Sequence, residues 1–140
     1  MERFDIHLGV ATGPIEVWYY PGNATPNYND AYANALSTVV TGQGQGSVTP
    51  LPALTTPINI PAGLTYTFYI TAGVFDELNM YYSVGVQLGQ VYASDVNLEI
   101  RDGYASGYPF MGYASPRRWN GKDQIMHALL HKIVVLVVVH

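Results

Sequence analysis

The stretch Ile133-Val134-Val135-Leu136-Val137-Val138-Val139 decides how the rest of the sequence is interpreted. Six of its seven apolar residues are β-branched, and such side chains favour a strand over a helix. The run is far shorter than the roughly 20 apolar residues that cross a bilayer, so we expect no membrane span. We predict a strand, and because apolar and polar residues do not alternate in it, both of its faces must be covered.

Two arrangements would cover the second face of this strand. In the first, residues 133–139 form a central strand of their own domain and lie under a loop. In the second, the strand leaves its domain and is buried in a neighbouring copy of the chain, since an apolar terminal strand is suited to β-strand addition. The sequence leaves both arrangements open.

The remaining sequence predicts short strands separated by Gly- and Pro-rich turns. Residues 3–8 alternate strictly, with Phe4, Ile6 and Leu8 on one face. The predicted strands are 3–8, 14–20, 36–41, 58–60, 65–71, 78–83, 90–93, 96–101 and 133–139. Residues 103–112 are predicted as a loop, 115–121 as a turn, and 122–131 as the one helical candidate. This pattern predicts an all-β fold, an antiparallel β-sandwich of the jelly-roll or immunoglobulin-like type.

Length and composition narrow the functional class. At 140 residues we expect one β-sandwich domain over residues 1–124, followed by an apolar extension over 125–140. Only 11% of residues are charged, against about 25% in an average domain. Twelve tyrosines and fourteen glycines favour an extracellular or cell-surface protein over a cytosolic enzyme. The net charge of -4 argues against a nucleic-acid partner, and the absence of cysteine excludes disulfides.

Several stretches, taken in order, resemble a known module. They are Val17-Trp-Tyr-Tyr-Pro-Gly22, Ile60-Pro-Ala-Gly63, Tyr66-Thr-Phe-Tyr69, Val91-Tyr-Ala-Ser-Asp95, Ser115-Pro-Arg117 and Trp119-Asn-Gly121. In this order they resemble a β-sandwich repeat of large secreted and cell-surface bacterial proteins, which include adhesins. The resemblance covers residues 4–121 and implies an extracellular adhesive or structural role without catalytic residues.

The sequence departs from this family at both ends. The strand that opens the family's module has no counterpart before Phe4, and residues 126–140 loosely resemble that missing strand. The tail can therefore fold back into its own gap or fill the gap of the next subunit. The second possibility predicts a filament-forming, fimbria-like structural protein that assembles head to tail by donor-strand exchange. Its partners would be copies of itself.

The alternative function is a carbohydrate-binding or adhesin module, because aromatic rings with polar tips can stack on sugars. The candidate sugar contacts are Trp18, Tyr20, Tyr104, Tyr108, Tyr113 and Trp119. The same rings can instead close the ends of the fold or seal contacts between subunits.

Other candidate sites carry weaker signals. Asp95, Asn97 and Asp102, joined by Glu99, could supply oxygens to Ca²⁺, but their spacing matches no EF-hand and favours solvated turn carboxylates. Asn23 begins an Asn-Ala-Thr sequon, so the chain is a candidate glycoprotein. We expect no resident cofactor. No nucleophile elbow or catalytic triad is recognisable, so we expect no enzyme activity.

Overall fold

The computed structural model describes residues 1–24, 31–44, 46–72, 80–94, 96, 98–107, 111–119, 122–124 and 132–139. Across these ranges the chain forms strands, turns and irregular segments, with no helix. The strands are β1 (Arg3–Ile6), β2 (Thr12–Pro21), β3 (Ala33–Thr41), β4 (Thr49–Pro50), β5 (Thr65–Thr71), β6 (Tyr82–Val84), β7 (Val91–Ser94), β8 (Leu98–Gly107), β9 (Met111–Trp119), β10 (Lys122–Gln124) and β11 (Lys132–Val139). The all-β prediction is confirmed.

The larger sheet has the strand order β3-β2-β5-β11-β8-β9-β6, and β7 pairs with β8 as well. Its pairs are antiparallel except for the two that β11 makes, which are both parallel. The predicted strand at 133–139 therefore exists, and it lies in the middle of this sheet rather than at an edge.

The smaller sheet has the order β10-β1-β4. Beyond β4, the chain continues beside β1 through widely spaced backbone bonds, from Leu51 N–H to the Phe4 carbonyl at 3.0 Å and from Leu54 N–H to the Glu2 carbonyl at 2.8 Å. Pro50 and Pro52 lack the N–H that a regular ladder needs, which explains why β4 ends at Pro50.

The apolar core joins side chains of both sheets. β1 contributes Phe4 and Ile6, which are both fully buried, as the alternation of residues 3–8 predicts. The Phe4 ring lies 5.1 Å from that of Phe68 and 5.9 Å from that of Trp119. Further buried members of this cluster are Leu8, Ile15, Val17, Leu51, Leu54, Ile58, Ile60, Ile70, Met80, Leu98 and Ile100.

The opposite face of the larger sheet is also covered at its centre. On β5 the outward residues Thr67, Tyr69 and Thr71 are as fully buried as Phe68 and Ile70 on the core face. Thr67 Oγ1 donates to the Gly22 carbonyl at 2.7 Å and accepts a bond from Ala24 N–H at 3.1 Å. The polypeptide after β2 therefore covers this face, and β5 is buried on both sides.

Four secondary-structure predictions are wrong, in whole or in part, within the described residues. Residues 58–60 are not a strand, although Ile58 and Ile60 are buried, because prolines flank them and no strand pairs with them. The predicted loop 103–112 and turn 115–121 are largely strand, since β8 and β9 pair with each other despite their Gly and Pro content. The helical candidate begins as strand β10, and residues 125–131 lie outside the described part.

Candidate functional site

The candidate assembly site is the slot between β5 and β8 that β11 fills. β11 has seven register partners on β5, from Ile133 opposite Thr65 to Val139 opposite Thr71. It has seven more on β8, from Lys132 opposite Leu98 to Val139 opposite Ser106. β5 and β8 do not pair with each other, so without β11 the sheet separates into β3-β2-β5 on one side and β7, β8, β9 and β6 on the other.

The β5 wall of the slot is buried on both of its faces. Five consecutive residues, 67–71, have no solvent exposure. Tyr69 lies against Tyr32, with ring centroids 6.2 Å apart, and Trp18 and Tyr104 pack on the same cluster. β5 is thus packed on both faces, and its backbone edge pairs with β11.

The β8 wall contains an irregularity. The register with β11 shifts between Val135, opposite Arg101, and Val137, opposite Tyr104, so β8 carries one extra residue there. Such a bulge reverses the alternation of side chains along a strand. Accordingly, Ile100 packs in the main core whereas Tyr104 joins the cluster around Tyr69 on the other face.

Asp102 lies at this bulge, and its side chain joins β8 to neighbours on the side away from β11. Its fully buried carboxylate accepts two bonds from Arg118, from Nε at 2.8 Å and from a terminal guanidinium nitrogen at 3.1 Å. The Val86 N–H donates to it at 2.8 Å, and the Arg118 guanidinium lies 4.6 Å from the centre of the Tyr92 ring. We call Asp102, Arg118, Val86 and Tyr92 the ionic clip, because they join β7, β8, β9 and the 85–90 loop.

The ionic clip sets the protonation of its own acid. Burial alone would raise the pKa of Asp102, but the hydrogen bonds from Arg118 and Val86 outweigh burial and hold that pKa below its ordinary value. In return, the hydrogen bond to Asp102 raises the pKa of Arg118. Both groups therefore stay charged at neutral pH.

The Ca²⁺ candidates are not brought together as a described site. Asp95 and Asn97 lie outside the described residues. Asp102 is paired with Arg118, and the Glu99 carboxylate contacts Arg101 at 3.1 Å. Within the described ranges, no group of three or more acidic or histidine side chains is placed to hold a metal.

The predicted sugar contacts divide between two clusters. Trp119 is only 3% exposed and lies in the main core. Trp18 is half-buried beside Tyr69, with its indole N–H donating to Glu16 at 3.0 Å, and Tyr20 lies 5.9 Å from Tyr32. Tyr108 and the side chain of Tyr113 are outside the described part. Among the described residues, the candidates left for a surface platform are Trp18, Tyr20 and Tyr104, and the platform stays a prediction.

The glycosylation candidate Asn23 is exposed at the end of the segment that crosses β5. Its exposure is compatible with modification, which stays a prediction. Among the described residues there is no helix long and apolar enough to span a bilayer.

Comparisons with protein-family models, with curated proteins and with solved structures give no match.

Sequence reasoning identified the strand that fills the slot but missed both of its walls as partners. On β5 the sequence did carry a signal of burial on both faces. Thr65, Thr67 and Thr71 are β-branched and uncharged, whereas a solvent-exposed strand face usually carries charged residues. On β8 no such signal is present in the sequence, because Asp102 contacts Arg118 only through the pairing of β8 with β9.

Proposed function

We propose that this chain is an extracellular structural subunit that assembles head to tail by placing its last strand in the slot of the next copy. The observation that carries the proposal is the position of β11, which runs parallel to both neighbours and alone connects the two halves of the larger sheet.

Identical chains can share such a slot. The backbone partners of β11 are the same whether the strand comes from its own chain or from another copy, so exchange preserves every pairing. Residues 133–139 are apolar throughout, which suits burial on both faces in either arrangement. The assembly strand consists of Ile133, Val134, Val135, Leu136, Val137, Val138 and Val139.

Exchange in one direction leaves each added copy with an occupied slot and a donated strand. This head-to-tail contact is heterologous, and it builds an open filament when the rotation between copies does not close a ring. The proposed fold is an antiparallel β-sandwich of the jelly-roll or immunoglobulin-like type, supported by a core that joins both sheets. The resemblance to surface-protein modules and the low charge support an extracellular, non-catalytic role.

Electron microscopy and light scattering test this proposal on the full chain beside a chain that ends at Lys132. We expect filaments from the full chain and none from the shortened one. A full chain that stays monomeric at all accessible concentrations would overturn the assembly proposal and leave β11 as a strand of its own sheet.

A further inference from the structure

A second feature is a cleft of about 620 Å³ at one end of the core. It is lined by Tyr19 of β2, by Tyr66 of β5, by residues 34–37 of β3 and by residues 55–59. Specific ligand pockets usually measure about 300–1,000 Å³, so the cleft has the size of a small-molecule site.

The two tyrosines continue rows of side chains that elsewhere fill the core. On β2 the inward residues Ile15 and Val17 are fully buried, whereas Tyr19, two residues on, is half-buried. On β5, Phe68 is fully buried and Tyr66 is half-buried. The layers therefore separate at this end, and the residues at the opening have an apolar ring and a polar tip.

The rings are held in one orientation. Tyr19 and Tyr66 lie in nearly parallel planes, 3° apart, with centroids separated by 6.4 Å. Tyr19 also contacts Phe68, at 6.5 Å between centroids, which anchors it to the core. Tyrosine rings that line a cleft can stack on the apolar face of a ring ligand.

Uncharged hydrogen-bonding groups surround these rings. Asn34, Ser37, Thr55, Thr56 and Asn59 are exposed at the sides of the cleft. Asn34 is oriented by bonds from its Nδ2 to the Leu36 carbonyl at 3.3 Å and to Ser37 Oγ at 3.2 Å. Amides and hydroxyls can both donate and accept, which matches a ligand that carries several hydroxyl groups.

The lining also limits the charge of the ligand. Among the described residues that line the cleft there is no Asp, Glu, Lys, Arg or His. A phosphate, carboxylate or ammonium group entering the cleft would lose hydration without gaining a counter-charge. The cleft therefore suits a neutral molecule with an apolar face and a polar rim.

We infer that this cleft binds a neutral sugar, stacked on Tyr19 and Tyr66 and hydrogen-bonded by the surrounding amides and hydroxyls. The site differs from the aromatic set that the sequence suggested, of which Trp18 and Tyr20 lie with the Tyr69 cluster on the opposite face of the sheet. It does not depend on which copy supplies β11, because none of the described residues that line it belongs to β8 or β11.

A glycan array containing neutral and acidic oligosaccharides, probed with the full chain, provides the test, followed by titration calorimetry of the best neutral hit. Tyr66→Ala should weaken binding by at least tenfold. Because that change can also destabilise β5, Asn59→Trp serves as a second variant: it fills the cleft from an exposed position. Gln43→Trp, exposed in the turn after β3 and outside the cleft, is the matched control and should bind as the natural chain does.

Three results would overturn the inference. The first is no binding of any neutral sugar at millimolar concentration. The second is a preference for acidic glycans over neutral ones. The third is a sugar whose affinity falls with Trp18→Ala but not with Asn59→Trp, which would move the site to the opposite face. Light scattering on the Asn59→Trp variant separates the two proposals, since assembly should persist when sugar binding is lost.

Discussion

The two sides of β8 are held in contrasting ways. On one side β11 pairs with it through a backbone ladder contributed by the last strand of the sequence. On the other side β7 and β9 pair with it, and the ionic clip adds a buried, doubly hydrogen-bonded charge pair. A backbone ladder can be remade by any copy of the same strand, whereas the ionic clip depends on side chains of fixed neighbours. The assembly proposal therefore gives β8 one exchangeable side and one permanent side.

Removing residues 133–140 should have the largest effect, since the larger sheet loses its centre. The free energy of unfolding of a domain is only about 5–15 kcal/mol, and we expect this deletion to remove most of it. Circular dichroism during urea unfolding should show loss of the cooperative transition.

A synthetic peptide covering residues 132–140 should restore that transition when added to the shortened chain. A peptide with Val134→Lys and Val138→Lys is the control, because a strand carrying two charges cannot be buried on both faces. A shortened chain that unfolds as cooperatively as the full chain, without peptide, would show that β11 is dispensable to the sheet.

Breaking the ionic clip should have the next largest effect. Arg118→Ala leaves the buried Asp102 carboxylate without its cationic partner, and hydrogen bonds to charged groups contribute about 1.5–3 kcal/mol each. We expect a loss of about 2–3 kcal/mol in urea unfolding. Arg101→Ala is the control on the same strand: its pair with Glu99 is partly exposed, and such pairs contribute about 0–1 kcal/mol. Equal losses for the two variants would contradict the contrast.

Gly85→Ala should disturb the ionic clip by steric overlap, without removing any of its hydrogen-bonding groups. A Cβ at this position would lie 2.6 Å from the Asp102 carboxyl carbon, so the carboxylate or the 85–90 loop must move. We expect a loss of about 1–3 kcal/mol, the usual range for overpacking. At Gly46 an added Cβ meets nothing within 4 Å, so Gly46→Ala should change stability by less than about 0.5 kcal/mol. Thermal unfolding of both variants checks this. If Gly85→Ala unfolds at the same temperature as the natural chain, the Asp102 carboxylate does not lie against Gly85.

Acid should weaken the permanent side by the smallest amount. The pKa of Asp102 is lower in the folded chain than in the unfolded chain, so its contribution is complete above the unfolded value of about 3.9. It is lost as pH falls below that value and through the folded pKa. We expect the midpoint temperature of unfolding to decrease as the pH is lowered below about 4. In Asp102→Asn the same decrease should be less steep. Identical pH profiles would mean that Asp102 does not titrate with folding.

The elements that the sequence predicts best are those whose signal is local. Residues 65–71 and 133–139 carry enough β-branched and aromatic residues to be recognised as strands alone, and the alternation of 3–8 identifies Phe4, Ile6 and Leu8 as core. The second half of β8 and all of β9 were missed because Gly, Ser and Pro there resemble turns. They become strand through pairing with each other, which no local window contains.

The candidate sites show the same limit. Asp102 was predicted as a solvated or Ca²⁺-binding carboxylate, and its burial depends on Arg118, which reaches it only across the β8–β9 pair. For Trp119 the sequence left open sugar stacking, subunit contacts and closure of the fold, and its place in the core depends on contact with β1. Tyr19 and Tyr66 could have been noticed as the last inward residues of two predicted strands, although only the structure shows that the layers separate there.

The most direct measurement of strand exchange is non-reducing gel electrophoresis of the Ile133→Cys/Thr65→Cys double variant of the full chain, after mild oxidation. The natural chain has no cysteine, so any disulfide is the engineered one. Ile133 and Thr65 are register partners, and neighbouring strands lie about 4.8 Å apart, within the Cα separation that a disulfide spans.

Thr12→Cys/Thr41→Cys is the control, because Thr12 and Thr41 are register partners on β2 and β3, with hydroxyl oxygens 2.7 Å apart. Strand exchange predicts a ladder of covalent oligomers for the 133/65 pair and a single monomer band for the 12/41 pair. Monomer bands for both pairs would contradict exchange and establish that β11 stays in the slot of its own chain.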